Sequence, residues 1–501
     1  MSPLWRCGPR ATAGLLTGLL ILALTSASPS FAGTALASTA LASTARVSTA
    51  HASAKHSRTY WVALTSNSSA DRGCGSAGYH SVQSAVNAAE HYENTHRRTA
   101  ATISVCPGTY AEQVTITRSL SIDGVKEAGN SRPVVIELPA SVGDTPAVGL
   151  SKTHCQAADS ATGTEVPTSV IEVCAARAGG QNTTGVSVSI NRVTVEGAWK
   201  FEGTCAVSMY GVLVEGGAEL SLSNSTVDRV GDFPLQGCQS GVDVEAGYAP
   251  TGQVGHLVMS HDRVRTYQKN GITVDGPGST AKVTSTTVTG AGATPTIAQN
   301  GIQISFGATG SVTASKVTDN NYIGTPAEEG DYPTYADGVL VYGGGGSVCG
   351  LGAVSPLVRG VHVTGNVLEN NDVGVQLFDV NTKCDASTSM PTHNLACSNA
   401  VSNEHGYSGG VASADANPAG YETAKGVFIG YQAGLTDSGD GDTICDNNIS
   451  GTGYSQRDAT STLPNPSPPA FVRPIDVFSF APPKNADIAG NKFDGRPYKT
   501  H

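Results

Sequence analysis

Charged residues are scarce in this sequence. They make up 14% of its 501 residues, against roughly a quarter in an average soluble domain. Methionine is rare too, with 4 residues, whereas 60 glycines exceed the usual share of about 7%. Valine, serine, threonine and asparagine are abundant. This composition favours many short strands joined by turns and disfavours a helical fold.

Long apolar runs are absent beyond the N-terminus, so no membrane-spanning segment is predicted. The one apolar run, at 14–24, follows Arg6 and Arg10 and is too short to span a bilayer comfortably. A small-x-small motif at 30–32 offers a cleavage site. These features predict a signal peptide over 1–32 and therefore a secreted, extracellular protein.

The next segment, 33–58, is rich in alanine, serine and threonine and contains ALAST twice. It has few bulky residues with which to build a core, so we expect a linker. The folded domain is then expected over 59–501, with an N-terminal cap at about 74–125.

No two cysteines have the CxxC spacing of a zinc site, so metal binding through sulfur is not expected. An exported chain is oxidised, and its cysteines are expected to form disulfides. Cys74 and Cys106 flank a predicted helix and are expected to pair, and Cys384 with Cys397 would close a loop.

Positive charge is in deficit, and the formal net charge is −11. Nucleic acid and anionic lipid are therefore disfavoured as partners. An acidic polysaccharide would also be repelled unless a basic patch or bound Ca²⁺ intervened. We expect a monomer.

A glycine followed by valine or isoleucine recurs at even spacing. Gly211, Gly241, Gly271 and Gly301 lie at intervals of thirty residues, and the pattern continues at 337–341, 373–377 and 425–429. Even spacing favours a parallel β-helix, in which each coil stacks its strands on the previous coil about 4.8 Å away. Strand alternation then points two apolar residues of each repeat inward, and the spacing pairs them coil by coil: Val212/Val214, Val242/Val244, Ile272/Val274 and Ile302/Ile304. Recurrent asparagines near each second strand suit left-handed turns and a hydrogen-bonded ladder.

The predicted elements that precede this repeat follow a recognisable order. A helix is predicted at 80–92, with Ser81 as its cap, before short strands at 102–105, 113–117 and 120–124. Together with a Pro107-Gly108-x-Tyr110 turn and Glu112, this order resembles the N-terminal entry of the pectin-lyase-like superfamily. The resemblance covers about fifty residues and implies a right-handed parallel β-helix with a capping helix.

That superfamily contains lyases, hydrolases, esterases and proteins without activity, so the resemblance implies no particular chemistry. A polygalacturonase would show a Gly-His-Gly, which Gly255-His256-Leu257 does not supply. The Gln-Asp-Thr-Leu and Asp-Phe-Ile-Phe-Gly segments of pectin methylesterases are absent as well.

Basic residues fall in one outward row of the predicted coils: Arg192, Thr226, Arg263, Thr287 and Lys316. Arg263 and Lys316, with the carboxylate of Asp262 and nearby Lys269, are catalytic and substrate-binding candidates. A base beside positive charge is what proton abstraction next to a sugar carboxylate requires. The alternative is a solvated face whose charges keep the protein soluble.

Two acidic loops are the other candidates. The insertion at 325–338 places Tyr332 and Tyr335 beside carboxylates, as sugar stacking and carboxylate-pair hydrolysis would need. The loop at 436–448 offers Asp437, Asp440 and Asp442 as oxygen ligands for Ca²⁺. Both loops would equally serve as solvated acidic turns.

Two functions remain open. The first is a secreted protein that binds or acts on an extracellular polysaccharide, as a lyase or hydrolase. The second is a non-catalytic surface or matrix protein. Convergence of Arg263, Lys316 and a carboxylate in one cleft would favour an enzyme, and dispersed charges would favour a scaffold.

Overall fold

The computed structural model describes residues 58–65, 69–96, 101–127, 129, 131–139, 167–175, 177–178, 181–182, 185–199, 208–323, 335–344, 355–380, 390–405, 422–423, 426–427, 431–454, 471–477 and 486–498. The expected signal peptide, and the linker up to residue 57, lie outside these ranges and stay predictions. The first strand begins at Arg58.

Three long sheets run the length of the described chain, and their strands pair in parallel except at the last hairpin. Sheet A contains β1 (Arg58–Val62), β2 (Ala101–Val105), β5 (Leu120–Gly124), β10 (Ser187–Asn191), β13 (Ala218–Ser223), β16 (Gly255–Ser260), β19 (Thr280–Thr284), β22 (Thr309–Thr313), β25 (His362–Thr364), β28 (Leu395–Cys397), β33 (Thr443–Cys445) and β36 (Asp487–Ala489). Sheet B contains β3 (Gly108–Ala111), β6 (Val134–Glu137), β11 (Thr194–Trp199), β14 (Thr226–Asp232), β17 (Arg263–Arg265), β20 (Thr287–Thr294), β23 (Lys316–Tyr322), β26 (Val367–Glu369), β29 (Ala400–Ser402), β34 (Asn448–Ser450), β37 (Lys492–Phe493) and β38 (Arg496–Pro497).

Sheet C contains β4 (Val114–Ile116), β7 (Pro167–Cys174), β12 (Ser208–Glu215), β15 (Val242–Ala246), β18 (Asn270–Asp275), β21 (Asn300–Ser305), β24 (Asp337–Gly344), β27 (Val373–Val380), β32 (Tyr431–Asp437) and β35 (Phe471–Val477). Two short antiparallel pairs are β8 (Arg177–Ala178) with β9 (Gln181–Asn182), and β30 (Glu422–Thr423) with β31 (Gly426–Val427). Each strand of a long sheet pairs with the strand one turn of chain later, which confirms the predicted right-handed parallel β-helix.

The core is a column of apolar side chains stacked in register. Val212 and Val214 lie against Val244 and Ala246 of the next coil. The sequence spacing had predicted Val242 and Val244 for that coil, so this prediction is wrong by two residues. The later coils follow the prediction: Ile272 and Val274 continue the column into Ile302 and Ile304. Every side chain in this column is fully buried.

The turn between sheets A and B repeats one hydrogen-bonded arrangement. The backbone N–H of Asn366 donates to the side-chain oxygen of Asn399 at 3.0 Å, and Asn399 donates in the same way to Asn447 at 2.9 Å. Asn447 continues to Asn491 at 3.0 Å. This confirms the predicted asparagine ladder. The left-handed residue is the one before each ladder position, for example Ser398 with φ 59°.

A helix covers the N-terminal end of the coils. Helix α1 spans Val82–Thr95, and Ser81 caps it by accepting the N–H of Ser84 at 3.2 Å. The Glu112 carboxylate, from the predicted entry motif, accepts the N–H of Val82 at 2.7 Å and that of Gln83 at 2.9 Å. Short 3₁₀ turns lie at Cys74–Ser76, Ala249–Thr251 and Thr452–Tyr454. In the part of the chain that the structure describes, no helix has the length and apolarity to cross a membrane.

Disulfides link neighbouring coils and the cap. Cys74 is bonded to Cys106, as predicted. Cys397 is bonded to Cys445, so the predicted Cys384–Cys397 pair is wrong. The reason is the register, which places Cys397 directly opposite Cys445 in adjacent strands β28 and β33.

Candidate functional site

The predicted basic row exists on the outer face of sheet B. Thr226, Arg263, Thr287 and Lys316 face one another in successive strands, and Thr194 holds the first position. Arg192, predicted to begin this row, is instead a left-handed turn residue with φ 58°. Arg263 and Lys316 are both exposed and lie two coils apart, with Thr287 between them.

Lys316 and Arg265 on this face are each paired with a carboxylate of a neighbouring coil. The Lys316 Nζ lies 2.7 Å from the Glu369 carboxylate, and Arg265 lies 2.7 Å from Asp228. The Asp262 carboxylate is turned away into the ladder, where it accepts the N–H groups of Ser225 at 2.8 Å and Ser260 at 2.9 Å. Burial raises the pKa of Asp262 to about 6. The structure therefore does not bring Asp262, Arg263 and Lys316 together in a cleft.

Lys269 lies directly before β18 and Tyr335 shortly before β24, both strands of sheet C, whereas the basic row is on sheet B. The Lys269 Nζ donates to the Ala298 carbonyl at 2.7 Å. Tyr335 is buried, and the side-chain amide of Gln376 bridges its hydroxyl, at 2.7 Å, and the Asp337 carboxylate, at 3.1 Å. Tyr332 lies outside the described residues. Tyr335 thus belongs to a buried polar contact on sheet C.

The second acidic loop folds onto the turn before β28. The Asp442 carboxylate accepts the Thr392 hydroxyl and the N–H of Asn394, both at 2.6 Å. Asp437 accepts the N–H of Gly439 at 2.8 Å, and Asp440 accepts that of Met390 at 3.2 Å. Within the described ranges, no group of three or more histidine, cysteine, aspartate or glutamate side chains is arranged to hold a metal ion. Calcium binding stays a prediction that the geometry does not support.

A group of three buried carboxyls lies on the outer face of sheet C, in strands that contain none of the candidate residues chosen from the sequence. Glu215 ends β12, Glu245 lies in β15 and Asp275 ends β18, so one carboxyl comes from each of three consecutive coils. We call these three residues the carboxyl cluster. Their strand neighbours Val214, Ala246 and Val274 point into the core, so strand alternation turns all three carboxyls to the outer face.

The carboxyl cluster is nevertheless shielded from water, because none of its members is more than 7% exposed. Burial raises the pKa of Asp275 to about 7. The N–H of Ala249, which donates to the Asp275 carboxylate at 2.7 Å, opposes this shift. Burial, and then the charges of Asp275 and Glu215, raise the pKa of Glu245 well above its usual range. Neighbouring carboxyls that raise one another's pKa are the kind of arrangement that can divide acid and base roles.

Two tyrosines lie beside the cluster. The rings of Tyr210 and Tyr248 meet edge to face with centroids 6.3 Å apart, and Leu213 and Val242 pack with them. Burial, followed by the charge of Glu245, raises the pKa of Tyr210 well above its usual range. Aromatic rings beside carboxyls suit a sugar ring, but Tyr210 and Tyr248 are buried, with 7% and 8% exposure.

Sequence reasoning missed this cluster, although a signal was present. Glu215 and Asp275 each follow their Gly-Val/Ile motif directly, at the same position two repeats apart. Glu245 follows its own motif in the same way, in the repeat between them, although the register of the coils places it one row away from the other two. A search for polar residues at equal motif positions would have found all three carboxyls.

Comparison with known proteins supplies no identity for this chain. No protein-family model and no curated protein sequence matches this chain. Among solved structures, a mutant DFA-IIIase from Arthrobacter chlorophenolicus A6 in complex with DFA-III is 15% identical, with a TM-score of 0.41 over 85% of this chain and 86% of that one. The tailspike protein of E. coli bacteriophage HK620 in complex with a pentasaccharide is 11% identical, with a TM-score of 0.42 over 83% of this chain and 63% of that one. The Dettilon tailspike protein is 13% identical, with a TM-score of 0.42 over 79% and 65%. This chain thus spans less than two thirds of either tailspike, and resemblance at this level assigns no chemistry.

Proposed function

We propose that this protein is exported and that it binds an extracellular polysaccharide along the outer face of sheet C and hydrolyses it at the carboxyl cluster. The observation that carries the proposal is the convergence of Glu215, Glu245 and Asp275 from three coils beside Tyr210 and Tyr248. The paired charges of sheet B offer no comparable group.

The cluster supplies both roles of a glycoside hydrolase. Burial and the neighbouring charges raise the pKa of Glu245 well above its usual range, so we assign it as the acid that protonates the leaving glycosidic oxygen. Asp275, with a pKa of about 7 and a carboxylate that accepts the N–H of Ala249, is assigned as the base that takes a proton from the water that attacks the anomeric carbon. The bond to the leaving sugar breaks as the bond to water forms, and a new reducing end results.

Backbone geometry is compatible with these roles. Glu245 lies opposite Thr273, and Thr273 is two residues before Asp275 in the same strand. The Cα atoms of Glu245 and Asp275 are therefore roughly 8 Å apart across the sheet. Carboxyls on such a diagonal can lie on either side of a glycosidic bond. Exclusion of bulk water strengthens electrostatic and hydrogen-bond effects on the reacting sugar. Since the carboxyls are buried in the uncomplexed chain, the proposal requires the polymer to gain access to them.

The test is incubation of the exported protein with a panel of neutral and acidic polysaccharides, with and without Ca²⁺. We expect new reducing ends from the unaltered chain. Glu245→Gln and Asp275→Asn should each lower the rate by at least about 100-fold, the usual size of an acid–base contribution. Glu219→Gln, on the exposed outer face of sheet A, is the matched control and should leave the rate unchanged.

Other products would redirect the proposal. Unsaturated products in place of reducing ends would establish a lyase and contradict the acid–base roles. Retention of a polymer without cleavage would leave binding alone. No retention and no cleavage would favour the non-catalytic surface protein.

A further inference from the structure

Three aromatic rings form an aromatic strip along the edge of sheet C, beyond the carboxyl cluster. Tyr342 and Phe378 stack with centroids 5.5 Å apart and planes 5° from parallel, and Phe306 meets Tyr342 edge to face at 5.5 Å. We call Phe306, Tyr342 and Phe378 the aromatic strip. Phe306 and Tyr342 are partly exposed, whereas Phe378 is buried, with 5% exposure, beneath the stacked Tyr342 ring.

The strip continues the row that contains the carboxyl cluster. Asp275 faces Ser305, Ser305 faces Tyr342, and Tyr342 faces Phe378 in successive coils. Each step is about 4.8 Å, so Asp275 and Phe378 are roughly 14 Å apart along the coil axis. An extended polymer lying on this row would reach both ends, and a disaccharide would not.

Phe306 occupies a backbone position that does not suit it. Its φ is +52°, in the left-handed region, and Gly276 holds the preceding coil's equivalent position with φ +87°. A bulky residue there costs roughly 1 kcal/mol or more relative to glycine. The ring is not buried in return, because Phe306 stays partly exposed. Core packing therefore does not explain the phenylalanine.

Apolar groups widen this surface. Pro277 and Pro356 are exposed on either side of Gly307, where an added Cβ would lie 2.8 Å from Pro356 and 3.2 Å from Pro277. Gln303, one row away, donates to the Ser305 hydroxyl at 2.9 Å and supplies polar groups beside the rings. Flat rings bordered by amide and hydroxyl groups match the apolar face and the hydroxyl rim of a sugar.

Charge limits which sugars fit. Among the described residues of the row from Glu215 to Phe378, the acidic groups are the carboxyls of Glu215 and Asp275 and the phenol of Tyr342, and no lysine or arginine is present. Asp275, with a pKa of about 7, is partly ionised at neutral pH and would repel a uronic acid polymer, whereas a neutral polymer would not be repelled.

We propose that the aromatic strip is a binding subsite for an uncharged polysaccharide that lies parallel to the coil axis and extends from the carboxyl cluster. This inference rests on the proposed function, since it assigns the substrate class and direction of the same site. It makes an oligosaccharide longer than a disaccharide the smallest good ligand.

The test measures binding of the full exported chain carrying Asp275→Asn, so that cleavage does not consume the probe. The probes are soluble β-glucan, xylan and fructan as neutral polymers, with polygalacturonate as the acidic comparison. Tyr342→Leu keeps apolar bulk but removes the ring, and Tyr342→Phe restores the ring. We expect Tyr342→Leu to weaken binding of a neutral polymer about tenfold, and Tyr342→Phe to retain it.

Phe306→Gly separates binding from folding, because glycine relieves the left-handed backbone while the ring is lost. We expect weaker binding with a melting temperature at or above that of the parent chain.

Unchanged binding in both Tyr342→Leu and Phe306→Gly would overturn the inference while leaving the proposed hydrolysis intact. Tight binding of polygalacturonate alone would overturn the neutral class. Weaker polymer binding in these variants, combined with full cleavage by Asp275→Asn, would uphold the strip and refute the catalytic assignment. Failure of the unaltered chain to bind any probe would refute both.

Discussion

The carboxyl of Asp243 accepts the backbone N–H of Arg265 at 3.1 Å. Asp243 lies opposite Gly211, between the pairs Tyr210–Val242 and Val212–Val244, so it occupies the inward corner that glycine holds in the preceding coil. A Cβ at Gly211 would lie 2.6 Å from the Asp243 carbonyl oxygen. One coil therefore has a buried acid where its neighbour has no side chain.

This acid makes stability depend on pH. Burial, and then the nearby charge of Asp228, raise the pKa of Asp243 well above its usual range, although the N–H and guanidinium of Arg265 oppose the shift. Because the folded-state pKa exceeds the unfolded one, the stabilising contribution is complete at low pH and declines as pH rises toward the folded-state pKa. Asp243→Asn removes this dependence. We expect the free energy of unfolding of Asp243→Asn, relative to the unaltered chain, to rise between pH 5 and pH 8.

Urea unfolding at both pH values measures that difference. Asp487→Asn, at an exposed position of β36, is the control and should run parallel to the unaltered chain. An equal stability difference for Asp243→Asn at the two pH values would show that Asp243 is not protonated in the folded chain.

The asparagine ladder predicts a large contrast between two adjacent residues. The Asn447 side chain accepts the N–H of Asn399 at 2.9 Å and its amide at 3.0 Å, and donates to the Ala396 carbonyl at 2.8 Å. Asn448 is exposed. Asn447→Ala leaves buried groups without partners and should lower the free energy of unfolding by about 3 kcal/mol. Asn448→Ala should leave it nearly unchanged, and similar losses in chemical denaturation would argue against the ladder.

Glu112 attaches the capping helix to the first coil. Its carboxylate accepts two helix N–H groups and the Ser81 hydroxyl at 2.7 Å. Glu112→Ala should lower the free energy of unfolding by about 2 kcal/mol, because charged caps at a helix N-terminus are strong. Hydrogen exchange should rise first in α1. Glu219→Ala is the exposed control, and uniform exchange in both variants would contradict this role.

The Cys397–Cys445 bond predicts a specific fragment pattern. Digestion without reduction should release a linked pair of peptides containing these two cysteines, and Cys445→Ser should lower the free energy of unfolding by about 2–4 kcal/mol. The linked Cys74–Cys106 peptides should appear in both samples and serve as the internal control. A Cys384–Cys397 peptide pair in the unaltered chain would contradict the structure.

Local patterns were enough to predict much of the fold. The Gly-Val/Ile spacing indicated stacked coils because only a residue without a side chain fits the inward corner at positions such as Gly271, where an added Cβ would lie 2.6 Å from the Gly301 carbonyl oxygen. The same spacing misled at Gly241, because this motif glycine lies two residues before the corner of its coil, which Asp243 occupies. Core packing of Val244 and Ala246 decided that register.

The sequence by itself determined the coil, its ladder, the capping helix and the row that contains Arg263 and Lys316, because each depends on residues at regular spacing along the chain. Tertiary structure decided which side chains meet across coils. It placed the Asp262 carboxylate in the turn between sheets A and B, where that carboxylate accepts the N–H of Ser225. It also paired Lys316 with Glu369 across a long insertion and joined Cys397 to Cys445. It also placed Glu245 one row away from Glu215 and Asp275, although all three hold the same position in the repeat, because the register of that coil is shifted by two residues.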